Sequence, residues 1–464
     1  MSGAANMSGR ARVLVSLALV AAGWRVDGSG VSTAQPTAAT WEHVAWHVNA
    51  PAGNGTPVLV GDLACFTSEP TTLVCVDRVT GRERWRAAHS VVDSLPAAAA
   101  AALQATLARA PALRAQLAQR SRDYSLGMRA LRSGAATPTA ADLRAISDEM
   151  AGLRALLDGV VPYETADTHD EIGWASPSPA TDGRAVFALF ANGVVVRHES
   201  TGVQTWTRWL GAAALDKLGY RGNDAASPVM AGGLLIVPFR NLTALDPATG
   251  RVVWIGPRYA QYGTPAVARV GNRDLLVTPD GEVVDARTGA VVAKGLGHLG
   301  YTGPFAVADR VWFIGSDAAY DSTDPNRGSA WRLVLEGDSV QAKPLWDVPL
   351  PTRDRIYGAP VLWEGRLFVV SHSKQLLVID ASTGAVLHQR ALSTTRGETW
   401  ASPMIAGGHV FATTIEGGLI EFDASPPFAL IAERRLPKGP GVMALEGNAV
   451  LWAGEDGLYR LAPP

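Results

Sequence analysis

The sequence predicts an all-β protein: an eight-bladed β-propeller of four-stranded antiparallel blades, closed by its own N-terminal strand and carrying one inserted α-helical hairpin. Three observations lead there. A turn motif, Asp-x-x-Thr-Gly-x-x-x-Trp, recurs along the 464-residue chain. A small residue followed by Pro precedes it at a nearly constant distance. The units marked this way recur at spacings that bracket the roughly 40–45 residues of a four-stranded propeller blade.

Composition sets the outer limits. Apolar residues make up 47% of the chain and charged residues 18%, a mix that excludes disorder. Lys+Arg of 41 against Asp+Glu of 43 leaves a net charge of −2, with no basic excess for a nucleic-acid backbone. At the N-terminus, Arg10 and Arg12 precede an apolar run from Val13 to Gly23, and small residues follow to Ala34. A charged start, a short apolar run and a small-residue exit describe a secretory signal peptide over 1–34. The run is too short to span a bilayer, which takes about 20 apolar residues. No Cys stands directly at its end, where Ala21-Ala22-Gly23-Trp24 are, so a lipid anchor through an N-terminal Cys is not expected. The chain is therefore expected in the periplasm or outside the cell, as a monomer without a transmembrane span. In that oxidising compartment Cys65 and Cys75 would pair. A hairpin centred on Pro70 sets them opposite each other. Two buried free thiols are the alternative.

The propeller is expected over 40–464. Its turn motif reads Asp77-Arg-Val-Thr80-Gly81 with Trp85, then His198-Glu-Ser-Thr201-Gly202 with Trp206, then Asp246-Pro-Ala-Thr249-Gly250 with Trp254. Asp285 to Gly289 and Asp380 to Gly384 keep the turn and lose the Trp. Asp423-Ala-Ser-Pro-Pro is a degraded copy. From Pro57, Pro179, Pro228, Pro265 and Pro360 to the following turn Gly the distances are 24, 23, 22, 24 and 24 residues. Gly supplies the positive φ of a tight turn, and the Asp carboxylate can accept from the turn N–H groups. The Trp then lies on the outermost strand, placed to wedge between neighbouring blades. Blades are expected to begin near residues 56, 175, 227, 263, 302, 357, 400 and 439. The last lacks an outer strand, and Trp41 to Val48 is expected to supply it, removing exposed edges.

Between Pro57 and Pro179 about 80 residues are extra for one blade interval. This insertion, residues 88–170, is rich in Ala, Leu, Arg and Gln over 95–132, with Leu103, Leu107, Leu113 and Leu117 at helical spacing. Gly134 and Pro138 interrupt it, and a second helix is expected from Thr139 to Leu157. The hairpin is expected either to cover an apolar patch, to dock a partner, or to act as a lid.

These Asp-x-x-Thr-Gly-x-x-x-Trp copies, with their Ser/Thr-Pro strands, resemble the PQQ-like (quinoprotein) β-propeller repeat family, in its non-catalytic, BamB-like branch. The resemblance runs from about residue 40 to 464 apart from the insertion. It implies an exported propeller in the cell envelope that binds or scaffolds protein partners through upper-face loops and the helical arm, with no cofactor. The alternatives it leaves open are a PQQ- and calcium-dependent dehydrogenase, or a glycan-binding surface protein. Against the dehydrogenase, that branch stacks its cofactor on a disulfide of adjacent cysteines, whereas Cys65 and Cys75 stand ten residues apart. No His-Glu-x-x-His, phosphate-binding Gly loop or Gly-x-Ser-x-Gly is present. His43 and His47 lack a third ligand for zinc. No catalytic or metal residues are therefore assigned.

Candidate ligand-binding residues lie just ahead of the inner strands: Trp174, Tyr262, Tyr301, Tyr357 and Trp400, with Arg355 and Arg396. Asp167, His169, Asp170, Arg221, Asp224, Arg353, Asp354 and Glu398 accompany them. Round a ring they converge on the channel mouth. There they either bind a ligand or pack against neighbouring blades.

Overall fold

The computed structural model describes residues 31–32, 41, 43–51, 53–163, 173–213, 225–259, 262–315, 326–392 and 396–463. Eight sheets follow one another, as the repeat predicts. Blade 1 is Val58–Val60, Leu63–Ser68, Thr72–Asp77 and Glu83–Ala88 in simple antiparallel order. Blades 2, 4, 5, 6 and 7 repeat that order. In blade 3 the middle of the sheet is one continuous segment, Leu234–Leu245. Its first part pairs with Val229–Ala231 and its last part with Val252–Tyr259. First strands of neighbouring blades touch one another, so they form the inner wall. Fourth strands alternate exposed and half-buried residues, as Glu83–Ala88 does, and form the outer rim.

Closure occurs as expected. His43–Asn49 is the outermost strand of blade 8 and pairs antiparallel with the C-terminal strand, His47 opposite Tyr459 and Val48 opposite Leu458. Trp46, Val48 and Ala50 then share one core with Phe66, Val74 and Val76 of blade 1. Blade 7 carries a strand that the sequence did not announce. Val31–Ser32, within the expected signal peptide, pairs in parallel with the inner strand Met404–Ala406.

The turn motif forms a ring of Trp–Gly contacts. Trp46, Trp85, Trp206 and Trp254 each lie over the turn Gly of the next blade and donate the indole N–H to a carbonyl of that turn. Trp46 donates to Arg78 O at 3.3 Å, Trp85 to Ser200 O at 3.0 Å, Trp206 to Pro247 O at 3.0 Å, and Trp254 to Ala286 O at 3.1 Å. A Cβ on Gly81, Gly202, Gly250 or Gly289 would lie within 2.5–2.7 Å of the corresponding indole. Trp346 of blade 5 extends the ring to Gly384, with its N–H on Ala381 O at 3.0 Å. Its own blade turns at Gly337 without a Thr-Gly pair, which hid this copy from the motif. Where the Trp becomes His388, its ring packs on Phe428 of the next turn instead, centroids 5.1 Å apart. Asp77, Asp246, Asp285 and Asp380 each accept from two turn N–H groups and a Thr hydroxyl. Bonds from the turn Thr hold the Asp77 and Asp246 carboxyls below the usual range, as the Ser382 hydroxyl does first for Asp380; at Asp285 burial works the other way and the Arg273 guanidinium, with the turn N–H groups, outweighs it. Trp85 and Trp206 remain half-exposed, so they stabilise less than the full burial of about 4–6 kcal/mol.

The Ser/Thr of the second marker has a specific role. Thr56 N–H donates to the Ser178 hydroxyl at 2.9 Å, Ser178 N–H to Ser227 at 2.9 Å, Ser227 N–H to Thr264 at 3.3 Å, and Ala359 N–H to Ser402 at 2.9 Å. Each hydroxyl satisfies a buried backbone donor of the preceding blade, a donor that would otherwise cost about 1–3 kcal/mol.

Cys65 and Cys75 stand directly opposite on adjacent strands of blade 1 and form a disulfide. Both are fully buried in the core between blades 1 and 2. The insertion folds as two helices, α1 (Ala97–Arg132) and α2 (Ala140–Asp158), with Thr139 capping α2 through a reciprocal bond to Asp142. Its base joins the blade 1–2 core. Val91 is buried there, Leu103 packs on it, and Tyr163 meets Trp209 with ring centroids 5.2 Å apart. His89 and His198 are buried beside this base, rings 5.1 Å apart, and burial pushes both pKa values down, that of His89 to about 4. The hairpin therefore grows out of the blade core as its continuation, with Gly127 admitting Leu143 and Pro138 at the helix crossing. Among the described residues no helix is long and apolar enough to cross a membrane.

Candidate functional site

Four of the five expected aromatics come together. Tyr262, Tyr301, Tyr357 and Trp400 each stand four residues ahead of an inner strand, in blades 4, 5, 6 and 7 in turn. The shared register puts them on one rim. Tyr262 and Tyr301 stack with centroids 6.3 Å apart, Tyr301 meets Tyr357 edge-on at 5.2 Å, and Tyr357 meets Trp400 edge-on at 6.2 Å. The result is a continuous aromatic arc over half the ring. Tyr262 is 46% exposed and the other three are half-buried, so the arc is accessible. In the other four blades the equivalent positions hold Gly439, Asn54, Ser176 and Ala225. The rim is thus divided into an aromatic half and a small-residue half.

Trp174 falls outside the arc. It stands five residues before its marker Pro rather than three, and only 2% of its surface is exposed. Its ring packs in the blade 2–3 core with Phe187 and Phe239. Glu69 fixes it there by accepting from Trp174 N–H at 3.0 Å and Ala175 N–H at 2.8 Å. Burial outweighs those two bonds and raises the Glu69 pKa. The packing reading therefore holds for Trp174.

A polar string backs the arc in blades 6 and 7. Glu398 pairs with His372 Nε2 at 2.7 Å and accepts from Trp400 Nε1 at 3.2 Å. His372 Nδ1 lies 3.9 Å from Asp354. Burial works against the Asp354 carboxylate, but bonds from the Ser371 and Ser373 hydroxyls and Ser373 N–H outweigh it, and its pKa falls. Arg355 donates to the Tyr357 hydroxyl at 3.2 Å. The His372 ring contacts Tyr357 edge-on at 5.3 Å, so charge and aromatic surface are interleaved. Arg353 and Arg396 are exposed beside them, and Arg396 O accepts from Thr414. His372 escaped the sequence reading because it sits on the turn between two strands rather than ahead of an inner one. Asp167, His169, Asp170, Arg221 and Asp224 lie outside the described residues.

Chemically, this rim offers apolar faces and edges, two anchored carboxylates, an imidazole and arginines. Ser371 and Ser373 spend their hydroxyls on Asp354 rather than on His372, so neither is aligned with the imidazole as a nucleophile. Among the described residues, no three His, Cys, Asp or Glu side chains cluster as metal ligands.

An eight-bladed propeller of Trp-stapled repeats defines a class, and comparison with known proteins shows what its repeat is similar to. A family model described as outer membrane protein assembly factor BamB matches residues 165–298 and 334–426. A curated protein of that description from Burkholderia pseudomallei (strain K96243) is 28% identical over 253 residues, which cover 53% of this chain and 63% of that protein. The matched part thus spans less than two thirds of the relative. Among solved structures, BamB from Moraxella catarrhalis superposes with a TM-score of 0.53 at 12% identity, over 91% of this chain and 99% of that one. The computationally designed Ika8 protein gives 0.53 at 10% identity, over 90% and 99%. The two structural likenesses show the fold. The matched segments make the chain's repeats similar to those of the BamB family model.

Proposed function

We propose that this chain is an exported, non-catalytic scaffold of the cell envelope that binds protein partners in outer-membrane assembly. The observation that carries the reading is the aromatic arc. Tyr and Trp dominate the energetics of protein interfaces, because they bury large rigid surfaces at low entropic cost. Here four of them stand in register on one rim of a frame in which Trp46, Trp85, Trp206, Trp254 and Trp346 are committed to packing over turn glycines. The similarity to a protein described as an outer membrane protein assembly factor supports an envelope setting. Cofactor-free action fits the cysteine pair: Cys65 and Cys75 are sealed in the blade 1–2 core, where no planar cofactor can stack on them.

The test is partner recovery from cross-linked envelopes of the native organism. The protein should recover the same discrete envelope proteins repeatedly. Changing Tyr301 and Trp400 together to Ala should lower recovery about tenfold or more, the effect of losing hot-spot rings. Thermal unfolding should stay close to that of the parent protein. Unchanged recovery would overturn the assignment of the arc as the docking surface.

A further inference from the structure

The arc and the extra strand of blade 7 meet at Trp400. This residue ends the arc and stands four residues ahead of Met404–Ala406, the inner strand whose channel-side edge pairs with Val31–Ser32. Register puts Val31 opposite Ile405 and Ser32 opposite Ala406. The pairing is parallel, so a chain on this edge enters from the Trp400 end and runs down the wall. Val31–Ser32 also lies against Val361–Trp363, the inner strand that follows Tyr357. One extended segment therefore already uses the wall beneath the last two rings of the arc. An inner strand has no ladder partner on its channel side, so its free N–H and C=O groups accept any extended chain.

The arc fits the same kind of guest. Its rings are spaced 5.2–6.3 Å apart. In an extended chain, side chains on one face recur every two residues, about 6.6 Å. Two of the three ring contacts are edge-on. Such rings form a row of clefts rather than a flat platform, a shape suited to successive apolar side chains more than to stacked sugar rings.

We infer that the arc and the channel-side edge of Met404–Ala406 form one continuous groove for an extended polypeptide segment with apolar side chains at alternate positions, and that Val31–Ser32 occupies the end of this groove. The guest lies across Tyr262, Tyr301 and Tyr357, turns at Trp400, and continues the blade 7 sheet. This rests on the proposed protein-binding role and specifies the partner's conformation and patterning. In the uncleaved chain Val31–Ser32 is then a competitor in place, and any event that withdraws it, removal of the expected signal peptide 1–34 included, opens the groove.

The probe is a labelled octapeptide alternating Phe with Thr or Lys, titrated into the full chain and followed by fluorescence anisotropy. A control peptide has the same composition with its Phe residues grouped. The alternating peptide should bind about tenfold tighter than the grouped one. Changing Tyr301 and Trp400 together to Ala should weaken it about tenfold. Changing Val31 and Ser32 together to Pro strips the resident strand of its amide donors and should tighten binding about fivefold. Equal binding of the two peptides, or binding indifferent to the proline pair, would overturn the inference. In either case the envelope-recovery test of the arc could still succeed, so failure here is distinguishable from failure of the scaffold reading. Absence of binding by both peptides, even in the proline variant, would also overturn it.

Discussion

Gly250→Val is expected to cost about 3–5 kcal/mol, while Gly233→Val, in the same blade, should cost only about 1–2 kcal/mol. Both glycines have positive φ, +68° and +78°. A β-branched residue there carries a backbone penalty of about 1–2 kcal/mol. The difference lies in what the new side chain meets. Open space surrounds a Cβ on Gly233, whereas one on Gly250 would sit 2.7 Å from the Trp206 ring. The indole must then leave the turn, breaking its bond to Pro247 O and uncovering the blade 2–3 seam. Equilibrium urea unfolding of the two variants checks this. A double-mutant cycle with Trp206→Ala should return a coupling of at least about 1 kcal/mol. Equal costs for the two glycine variants would remove the Trp–Gly contact from the account of the fold.

The second large effect is at the ring seam. Trp46→Ala should lower stability by about 3–5 kcal/mol, the range for truncating a buried aromatic. Trp46 is 9% exposed and lies over Gly81, bonded to Arg78 O. It is the staple between the last blade and the first. Loss of any other Trp weakens one seam of a closed ring. Loss of this one also weakens the strand that holds the two chain ends together, and so exposes the C-terminal strand as an edge. Hydrogen exchange should accelerate over 43–49 and 457–462 before it does elsewhere. A cost below about 1 kcal/mol, with protection unchanged in both strands, would contradict closure by the N-terminal strand.

Much of this architecture was legible because it is local and repeated. The Asp, Thr and Gly of each turn interact with one another, so their spacing survives in the sequence. The Trp contacts the same place in the next copy, so it recurs too. The helices of the insertion announced themselves through composition, and Thr139 through its cap. Closure could be read because Trp46 was the Trp missing from the last blade. Other features depend on relations between distant residues. The Ser/Thr-Pro marker was visible, but its bond to the preceding blade runs between residues 37 to 122 positions apart. Blade 5 hid its turn because Gly337 lacks a Thr partner. The pairing of Val31–Ser32 with Ile405 and Ala406 spans nearly the whole chain, and no local pattern encodes it.

The candidate site was half legible. Tyr262, Tyr301, Tyr357 and Trp400 share one spacing to the marker Pro, three residues, and Trp174 does not. Applying that spacing strictly separates the arc from the buried Trp174. His372, which links Glu398 to Asp354, carries no such marker. It reaches the arc from a turn between strands, a place defined only once the blades are stacked.

The proposed function makes this propeller a binding frame rather than an enzyme. Titration of the purified protein with PQQ and Ca²⁺, with dye-linked alcohol oxidation followed in the same samples, tests it most directly. The account predicts no saturable binding up to about 100 µM cofactor and no oxidation above the protein-free rate. Saturable binding in the micromolar range with turnover would contradict it, and would make the rim of Tyr301, Tyr357, His372 and Trp400 the mouth of an active site.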